Sequence, residues 1–204
     1  MKFESGDFVG IVDLAMSSIW TRYREVRKMS RLARWNSPGM QPGTLVQAVG
    51  EADPRSTLVA PFSGRECVSY RVDLREWDDG THCEFLTAVS VAPFYVRTQA
   101  GTVIFNPMHC VAHLSGRAEK GDTINDPSQL AAFFDVHAVA ASEWKDGSRR
   151  SFRWKENILK SGDLVQVAGR LGRSIDNAGL STYREPPSLP SISGPESVLV
   201  VKAA

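Results

Sequence analysis

Histidines and cysteines are the first candidates for chemistry in this chain of 204 residues, because imidazole and thiolate groups are the ligands that zinc prefers. His82 and Cys83 are neighbours, and His109, Cys110 and His113 lie close together in sequence. On a strand, Cys110 and His113 would point to opposite faces, and the flanking proline and glycine leave little room for a helix. We therefore expect no metal site and no cofactor, and we interpret these residues as buried cysteines and half-exposed histidines.

Motifs for nucleophilic and phosphate chemistry are incomplete. Ser63, in Pro61-Phe-Ser-Gly-Arg65, lacks the preceding glycine of a G-x-S-x-G nucleophile elbow. The segment Gly169-Arg-Leu-Gly172 has neither the spacing nor the lysine of a P-loop. We interpret Cys67 as a small buried hydrophobe, because no base is evident beside it. Glu156 could serve as a catalytic acid, but we expect it to accept hydrogen bonds from loop amides.

Composition limits the class of protein. The chain has 24 Lys and Arg against 23 Asp and Glu, so its bulk charge does not argue for polyanion binding. Three cysteines suit a reducing compartment. The first ten residues carry Glu4 and Asp7 where a signal peptide needs basic residues, and the apolar stretches are too short to span a membrane. We expect a cytoplasmic protein, with attachment to the inner face of the membrane as a variant.

The N-terminal region predicts a long amphipathic helix, since apolar residues between Ile11 and Trp35 recur with helical spacing. Its second half is basic. Three interpretations stay open: packing on the β domain or in a homodimer, attachment to an anionic membrane surface, and nucleic-acid binding. The prolines and glycines of residues 36–43 place a boundary near residue 40, so we predict domains 1–40 and 41–204. The candidate surface-binding residues are Trp20, Arg24, Arg27, Lys28, Arg31 and Trp35.

Beyond residue 40 the pattern changes to short segments with alternating apolar residues, which are typical of half-buried strands. One helix is predicted to begin at Pro127 after an Asp126 cap, with Gln129 completing a capping box, and to run to about Trp144. The proline-rich residues 185–195 indicate an extended surface connection. The predicted strands are 44–49, 67–75, 85–91, 94–98, 102–105, 164–168 and 197–201.

An internal echo indicates how two of these strands are placed. Gly43-Thr-Leu-Val-Gln-Ala-Val-Gly50 and Gly162-Asp-Leu-Val-Gln-Val-Ala-Gly169 share the pattern G-x-L-V-Q-x-x-G. Each segment is typical of a strand between two glycine turns, so we predict that they lie close together in one closed or nearly closed sheet. The fold class is therefore mainly β (α+β): a compact OB-like barrel or β-sandwich with one inserted helix.

Two longer segments resemble the GIDE domain, also called the beside-a-membrane domain. They are Leu58-Val-Ala-Pro-Phe-Ser-Gly-Arg-Glu-Cys-Val-Ser-Tyr-Arg71 and Glu156-Asn-Ile-Leu-Lys-Ser-Gly-Asp-Leu-Val-Gln-Val-Ala-Gly169. In eukaryotic relatives this domain lies between two membrane-spanning helices of a mitochondrial or plastid ubiquitin ligase and precedes a RING domain. This sequence has neither feature, so it resembles a prokaryotic-type soluble member, and the ligase activity does not transfer.

The resemblance implies a role in binding or sensing. We expect a non-catalytic interaction or ligand-sensing module whose partner is a protein or a small ligand, with action at a membrane surface as a variant. The alternatives are an enzyme of unknown class or a component of a ubiquitin-ligase-like pathway, and then a nucleic-acid-binding OB-like barrel, for which sequence support is weakest. The candidate binding residues are Pro61, Ser63, Gly64, Arg65, Cys67, Tyr70, Arg71, Glu156, Gly162 and Asp163.

Overall fold

The computed structural model describes residues 27–78, 81–107, 110–114, 119–121, 127–137, 152–175 and 188–201. As the alternating pattern predicts, this part of the chain is mainly β, with thirteen strands and one helix longer than a single turn. They are β1 (Ala33–Arg34), β2 (Leu45–Pro54), β3 (Leu58–Val59), β4 (Glu66–Cys67), β5 (Ser69–Asp78), β6 (Thr81–Val91), β7 (Phe94–Thr98), β8 (Gly101–Phe105), β9 (Val111–His113), β10 (Glu119–Gly121), α1 (Pro127–Val136), β11 (Phe152–Leu159), β12 (Leu164–Ile175) and β13 (Ser188–Val201).

Five strands close into a barrel. β2 pairs with β12, β12 with β13, β13 with β8 and β8 with β7, and the pairing of β7 with β2 completes the circle. If β2, β7, β8, β12 and β13 are numbered 1 to 5, the order of the strands around the barrel is 1-2-3-5-4-1. Among these neighbours, only β8 and β13 are parallel. Alternate residues point inward and form a core of aliphatic side chains with two packed rings, Phe94 and Phe105.

The two segments of the internal echo are neighbours, as predicted. They form β2 and β12, which pair antiparallel with Gly50 opposite Val165 and Val46 opposite Gly169. A hydrogen bond of 2.7 Å from the Gln166 amide to the Gln47 amide oxygen joins the two matching glutamines. The repeated pattern therefore belongs to two adjacent strands of the closed sheet.

The glycines of the echo have two different roles. Gly43 and Gly162 open the two segments with φ values of 87° and 86°, in the left-handed region that favours glycine. Gly50 and Gly169, which the sequence predicts to be turns, lie inside their strands instead. A Cβ at Gly50 would collide with the carbonyl oxygen of Arg97, so close approach of neighbouring backbone requires glycine there.

A second layer lies beside the barrel. Its sheet has the order β10-β11-β5-β6, and α1 packs on one face of it. In β5 the buried residues Tyr70, Val72 and Leu74 alternate with more accessible ones, which confirms the predicted half-buried strand. The core of this layer is rich in aromatic rings, among them Phe133, Phe134 and Phe152.

Several boundaries differ from the sequence predictions. The N-terminal helix falls largely on residues 1–26, outside the described residues; within them only 27–29 are helical, and β1 replaces the helix before Trp35. β13 begins at Ser188, so part of the predicted proline-rich connection is a strand. Its pairing with β12 stabilises the strand despite the prolines. β11 was not predicted at all. α1 ends at Val136 and is followed by a turn at His137, so this helix does not continue to the predicted end near Trp144. The Asp126 cap lies outside the described residues.

Candidate functional site

A buried carboxylate organises the segment that the sequence singles out. Glu156 lies in β11 with 1% of its surface exposed. Its Oε1 accepts a hydrogen bond from the backbone N–H of Phe62, and its Oε2 accepts one from the N–H of Ser63, both at 3.1 Å. The expectation that Glu156 binds loop amides is confirmed. Both carboxylate oxygens are engaged in holding the turn between β3 and β4.

The same turn is held from α1 and from the sheet. The side-chain amide of Gln129 donates a hydrogen bond of 2.8 Å to the carbonyl oxygen of Pro61, so Gln129 reaches the turn. The partner of Gln129 in the predicted capping box, Asp126, lies outside the described residues. The ring of Phe62 stacks on Trp154 with centroids 5.4 Å apart and contacts Phe133 at 5.1 Å. We call Pro61–Gly64 with Glu156 and Gln129 the clamped turn.

Cys67 and Tyr70 pack in the same aromatic core, because the chain bends at Val68 between β4 and β5. Burial, with a smaller contribution from the negative charge of Glu156, raises the pKa of Cys67 to about 11. Burial also raises the pKa of Tyr70, against a hydrogen bond with Ser90 that lowers it. The Cys67 thiol therefore stays protonated at neutral pH and is a poor nucleophile, as expected for a buried hydrophobe.

The other candidate binding residues lie away from this core. Arg71 faces outward and forms an ion pair of 2.8 Å with Asp73. Arg65 is exposed, and its carbonyl oxygen accepts a hydrogen bond from the N–H of Ala60. Gly162 donates its N–H to the carbonyl oxygen of Ala52 in β2 at 2.8 Å. Asp163 caps the same tight turn, since its Oδ2 accepts the N–H of Lys160 at 2.7 Å. The structure thus places the late segment against the barrel.

The described part of the basic segment lies on the barrel. Met29 is 1% exposed and packs with Ala168, Val198 and Val200 on the outer side of β12 and β13. The candidate residues Arg27, Lys28 and Arg31 are exposed, and Trp35 is half-buried against the barrel core. Trp20 and Arg24 lie outside the described residues.

A groove that the sequence did not predict runs along the outside of β2 and has a volume of about 1030 Å³. Its floor is formed by the outward side chains Gln47 and Val49 of β2 with Leu164 and Gln166 of β12. Segment 34–36 borders one side, and residues 97–100 border the other. The alternation of β2 indicates which residues point outward, but only the tertiary pairing shows what flanks them. We call this the β2 groove.

Metal-binding groups are dispersed in the part of the chain that the structure describes, where no three His, Cys, Asp or Glu side chains could hold one ion together. Burial raises the pKa of Cys110 to about 11. His109 and the side chains of His82 and Cys83 are outside this description. Among the described helices, none combines the length and apolar character needed to cross a bilayer.

Comparison of the chain with family models, with curated proteins and with solved structures finds no match.

Proposed function

We propose that this protein is a non-catalytic binding module and that the β2 groove is its ligand site. The groove carries the proposal because it offers a volume of about 1030 Å³ beside the accessible side chains of Val49 and Leu164. Volumes of this size are typical of sites that enclose a ligand. Most of the candidate binding residues predicted from the sequence then have a structural role. Gly64 and Arg65, exposed at the end of the clamped turn, form a second contact surface.

The chemistry of the groove supports binding rather than catalysis. Its floor combines an amide pair, Gln47 with Gln166, and two accessible apolar side chains, Val49 at 39% and Leu164 at 44% exposure. The groups that an enzyme could use near the clamped turn are committed elsewhere: Glu156 to backbone amides and Cys67 to the core. Amides and apolar side chains give affinity and orientation without transferring protons, and the charged residues of the lining, Arg34, Glu51 and Arg97, add electrostatic contacts.

A fragment screen by NMR tests this function without assuming the ligand. Capped amino acids, nucleosides and monosaccharides are added one at a time to the full chain with ¹⁵N label. We expect chemical-shift changes concentrated at Val49, Gly50, Thr98 and Gln99, and we expect each fragment to be recovered unchanged. Shift changes confined to the clamped turn, or conversion of a fragment to a product, would reject the groove as the site of a binding module.

Attachment to an anionic membrane surface is a second candidate, and the resemblance to the GIDE domain supports it. Arg27, Lys28, Arg31 and Arg34 fall within eight residues without an acidic residue, and all four are exposed. Each such residue near an anionic surface contributes about 1 kcal/mol. We expect salt-sensitive flotation with phosphatidylserine vesicles, weakened by the double change Arg27→Glu and Arg31→Glu. Equal flotation of the variant would exclude these residues as the anchor.

Nucleic-acid binding is the third candidate. The barrel order 1-2-3-5-4-1 supports it, because a five-stranded barrel with Greek-key connections resembles the OB-fold, which often binds oligonucleotides. Fluorescence polarisation with a labelled single-stranded oligonucleotide should then show binding that weakens as salt increases. A flat titration in low salt would remove this candidate.

A further inference from the structure

The β2 groove contains an interrupted strand edge. On the side of β2 that faces away from β12, β1 pairs with Val46 and Gln47, and β7 pairs with residues 51–54. Among the described strands, none pairs with residues 48–50 on that side. The edge of β2 therefore has no strand partner for three residues. The ring of Trp35, directly after β1, lies beside Gly101 of the β7–β8 hairpin and lines this gap.

Val49 is the centre of this opening. The carbonyl oxygen of Gln47 accepts the N–H of Trp35 at 2.9 Å, so the backbone groups of Gln47 point toward β1. Because backbone direction alternates along a strand, Val49, two residues later, presents its N–H and C=O to the same side. Its side chain points outward into the groove, at 39% exposure. Val49 thus offers both backbone hydrogen bonds and an apolar contact to an incoming chain.

We propose that the β2 groove binds an extended polypeptide segment that pairs with β2 at Val49 and fills the opening between β1 and β7. This inference rests on the proposed function and names the class of its ligand. Pairing with an exposed strand edge is a common mode of peptide recognition, in which backbone hydrogen bonds give affinity and alternate side chains give specificity. Because β1 and β7 occupy the edge on both sides of residues 48–50, only the central residues of the segment pair with β2, and its ends turn away from the edge.

The side chains around the opening indicate which residues the peptide carries. Val49 and Leu164 form an apolar patch that fits an aliphatic or aromatic side chain. Arg34 is exposed at the rim and favours an acidic residue nearby, whereas Glu51, exposed in the same lining opposite Leu164, favours a basic one. A nucleic-acid strand fits less well, because phosphates cannot use the apolar floor, and Arg97 at the opposite rim is paired with Asp53 at 3.0 Å through its Nε.

The test begins with selection of random 12-residue peptides, displayed on phage, against the full chain. We expect enrichment of an aliphatic or aromatic residue for the patch of Val49 and Leu164, flanked by an acidic residue toward Arg34 and a basic residue toward Glu51. Synthetic versions of the enriched peptide should lose affinity by about tenfold or more with Val49→Asp or Leu164→Asp. Val59→Asp provides the matched control, since Val59 is a valine that is 63% exposed on the separate β3–β4 hairpin.

Backbone methylation of the peptide tests strand pairing itself. N-methylation at every second residue should abolish binding, and N-methylation at the alternating residues should leave it nearly unchanged, because only one set of N–H groups faces β2. Equal tolerance at all positions would overturn strand pairing.

Three other outcomes would also overturn the peptide inference. In the first, no peptide is enriched. In the second, the enriched peptides bind Val49→Asp as tightly as the wild type. In the third, a 20-nucleotide RNA causes chemical-shift changes at the β2 groove while peptides cause none. If fragments bind the groove in the NMR screen but peptides do not, only the ligand class is wrong. If neither binds, the proposed function fails as well.

Discussion

The barrel and the helix-covered sheet both bury an apolar core, but they differ in how their strands are paired and covered. In the barrel, closure pairs the strands around a full circle, and its core is largely aliphatic. The sheet β10-β11-β5-β6 is open, is covered by α1, and has a core dominated by aromatic rings. Val68 connects the two regions. Its side chain lies in the barrel core, its N–H donates to the carbonyl oxygen of Leu159, and its own carbonyl oxygen accepts the N–H of Ala92.

The difference shows where each region needs polar groups inside. The barrel core is filled by apolar side chains, and its strands satisfy one another's backbone groups except at the open edge of β2. In the open layer Phe62 and Ser63 lie in a partly buried turn where their amides have no strand partner, and Glu156 supplies the acceptors. A buried carboxylate is thus the consequence of leaving the sheet open and covering it with a hairpin and a helix.

The largest expected effect comes from removing one large ring from each core, which tests whether the barrel and the second layer unfold independently. Phe105→Ala in the barrel and Phe134→Ala in the second layer should each lower the free energy of unfolding by about 3–5 kcal/mol, because both rings are completely buried. Urea denaturation measures the loss. Amide hydrogen exchange should quicken in β12 for Phe105→Ala and mainly in β5 and β11 for Phe134→Ala. Identical exchange patterns would show that the two cores unfold as one unit.

Loss of the Glu156 carboxylate should be the next largest effect, and it concerns only the open layer. Glu156→Ala leaves the partly buried N–H groups of Phe62 and Ser63 without their acceptor, which costs about 3 kcal/mol. Glu156→Gln retains one acceptor oxygen and should cost less. Urea midpoints and the exchange rates of the Phe62 and Ser63 amides measure this, with exposed Glu51→Ala as control. A wild-type midpoint for Glu156→Ala would show that the clamped turn does not stabilise the fold.

Gly50→Ala tests the close backbone approach inside the barrel. The added methyl would collide with the carbonyl oxygen of Arg97, and we expect a loss of about 1–3 kcal/mol. Gly172→Ala in β12 is the matched control, because its methyl would meet only the flexible hydroxyl of Ser191, at 3.2 Å. Thermal unfolding distinguishes them. Equal stability of the two variants would mean that β2 and β7 separate easily at this point.

The smallest effect is a loss of stability in alkaline solution. In the folded chain the pKa of Cys67 and of Cys110 is about 11, above the usual 9.0. Between these two pKa values the thiols lose their protons in the unfolded chain but keep them in the folded chain. The free energy of unfolding therefore falls as pH rises from 9 to 11. Urea midpoints at pH 8 and pH 10 should differ less for Cys67→Ala and Cys110→Ala than for the wild type. Unchanged pH dependence in both would contradict burial of the thiols.

Much of the fold is readable from local pattern. The alternation in β5, the limits of β7 and the helix start at Pro127 all follow from the spacing of apolar residues and from proline geometry. The echo even predicts that β2 and β12 are neighbours. β11 escapes detection because two polar residues, Glu156 and Asn157, are buried in succession, so the apolar alternation that begins with Phe152 and Trp154 stops.

The candidate site is less predictable. Sequence reasoning identifies Glu156 as an acceptor for loop amides but not which loop, since its partner Phe62 is 94 residues away. The β2 groove leaves almost no trace in sequence. Its floor comes from two strands, and its sides come from a segment before β2 and a hairpin after it.

The sequence by itself determined the mainly β character, the positions of most strands and the need for glycine at the turns, because these depend on each residue and its close neighbours. Tertiary structure alone decided that β2 meets β7 to close the barrel, that Glu156 holds the turn, and that β2 keeps an open edge at Val49. These features depend on which distant segments meet, and a local pattern records only which side of a strand is buried, not what covers it.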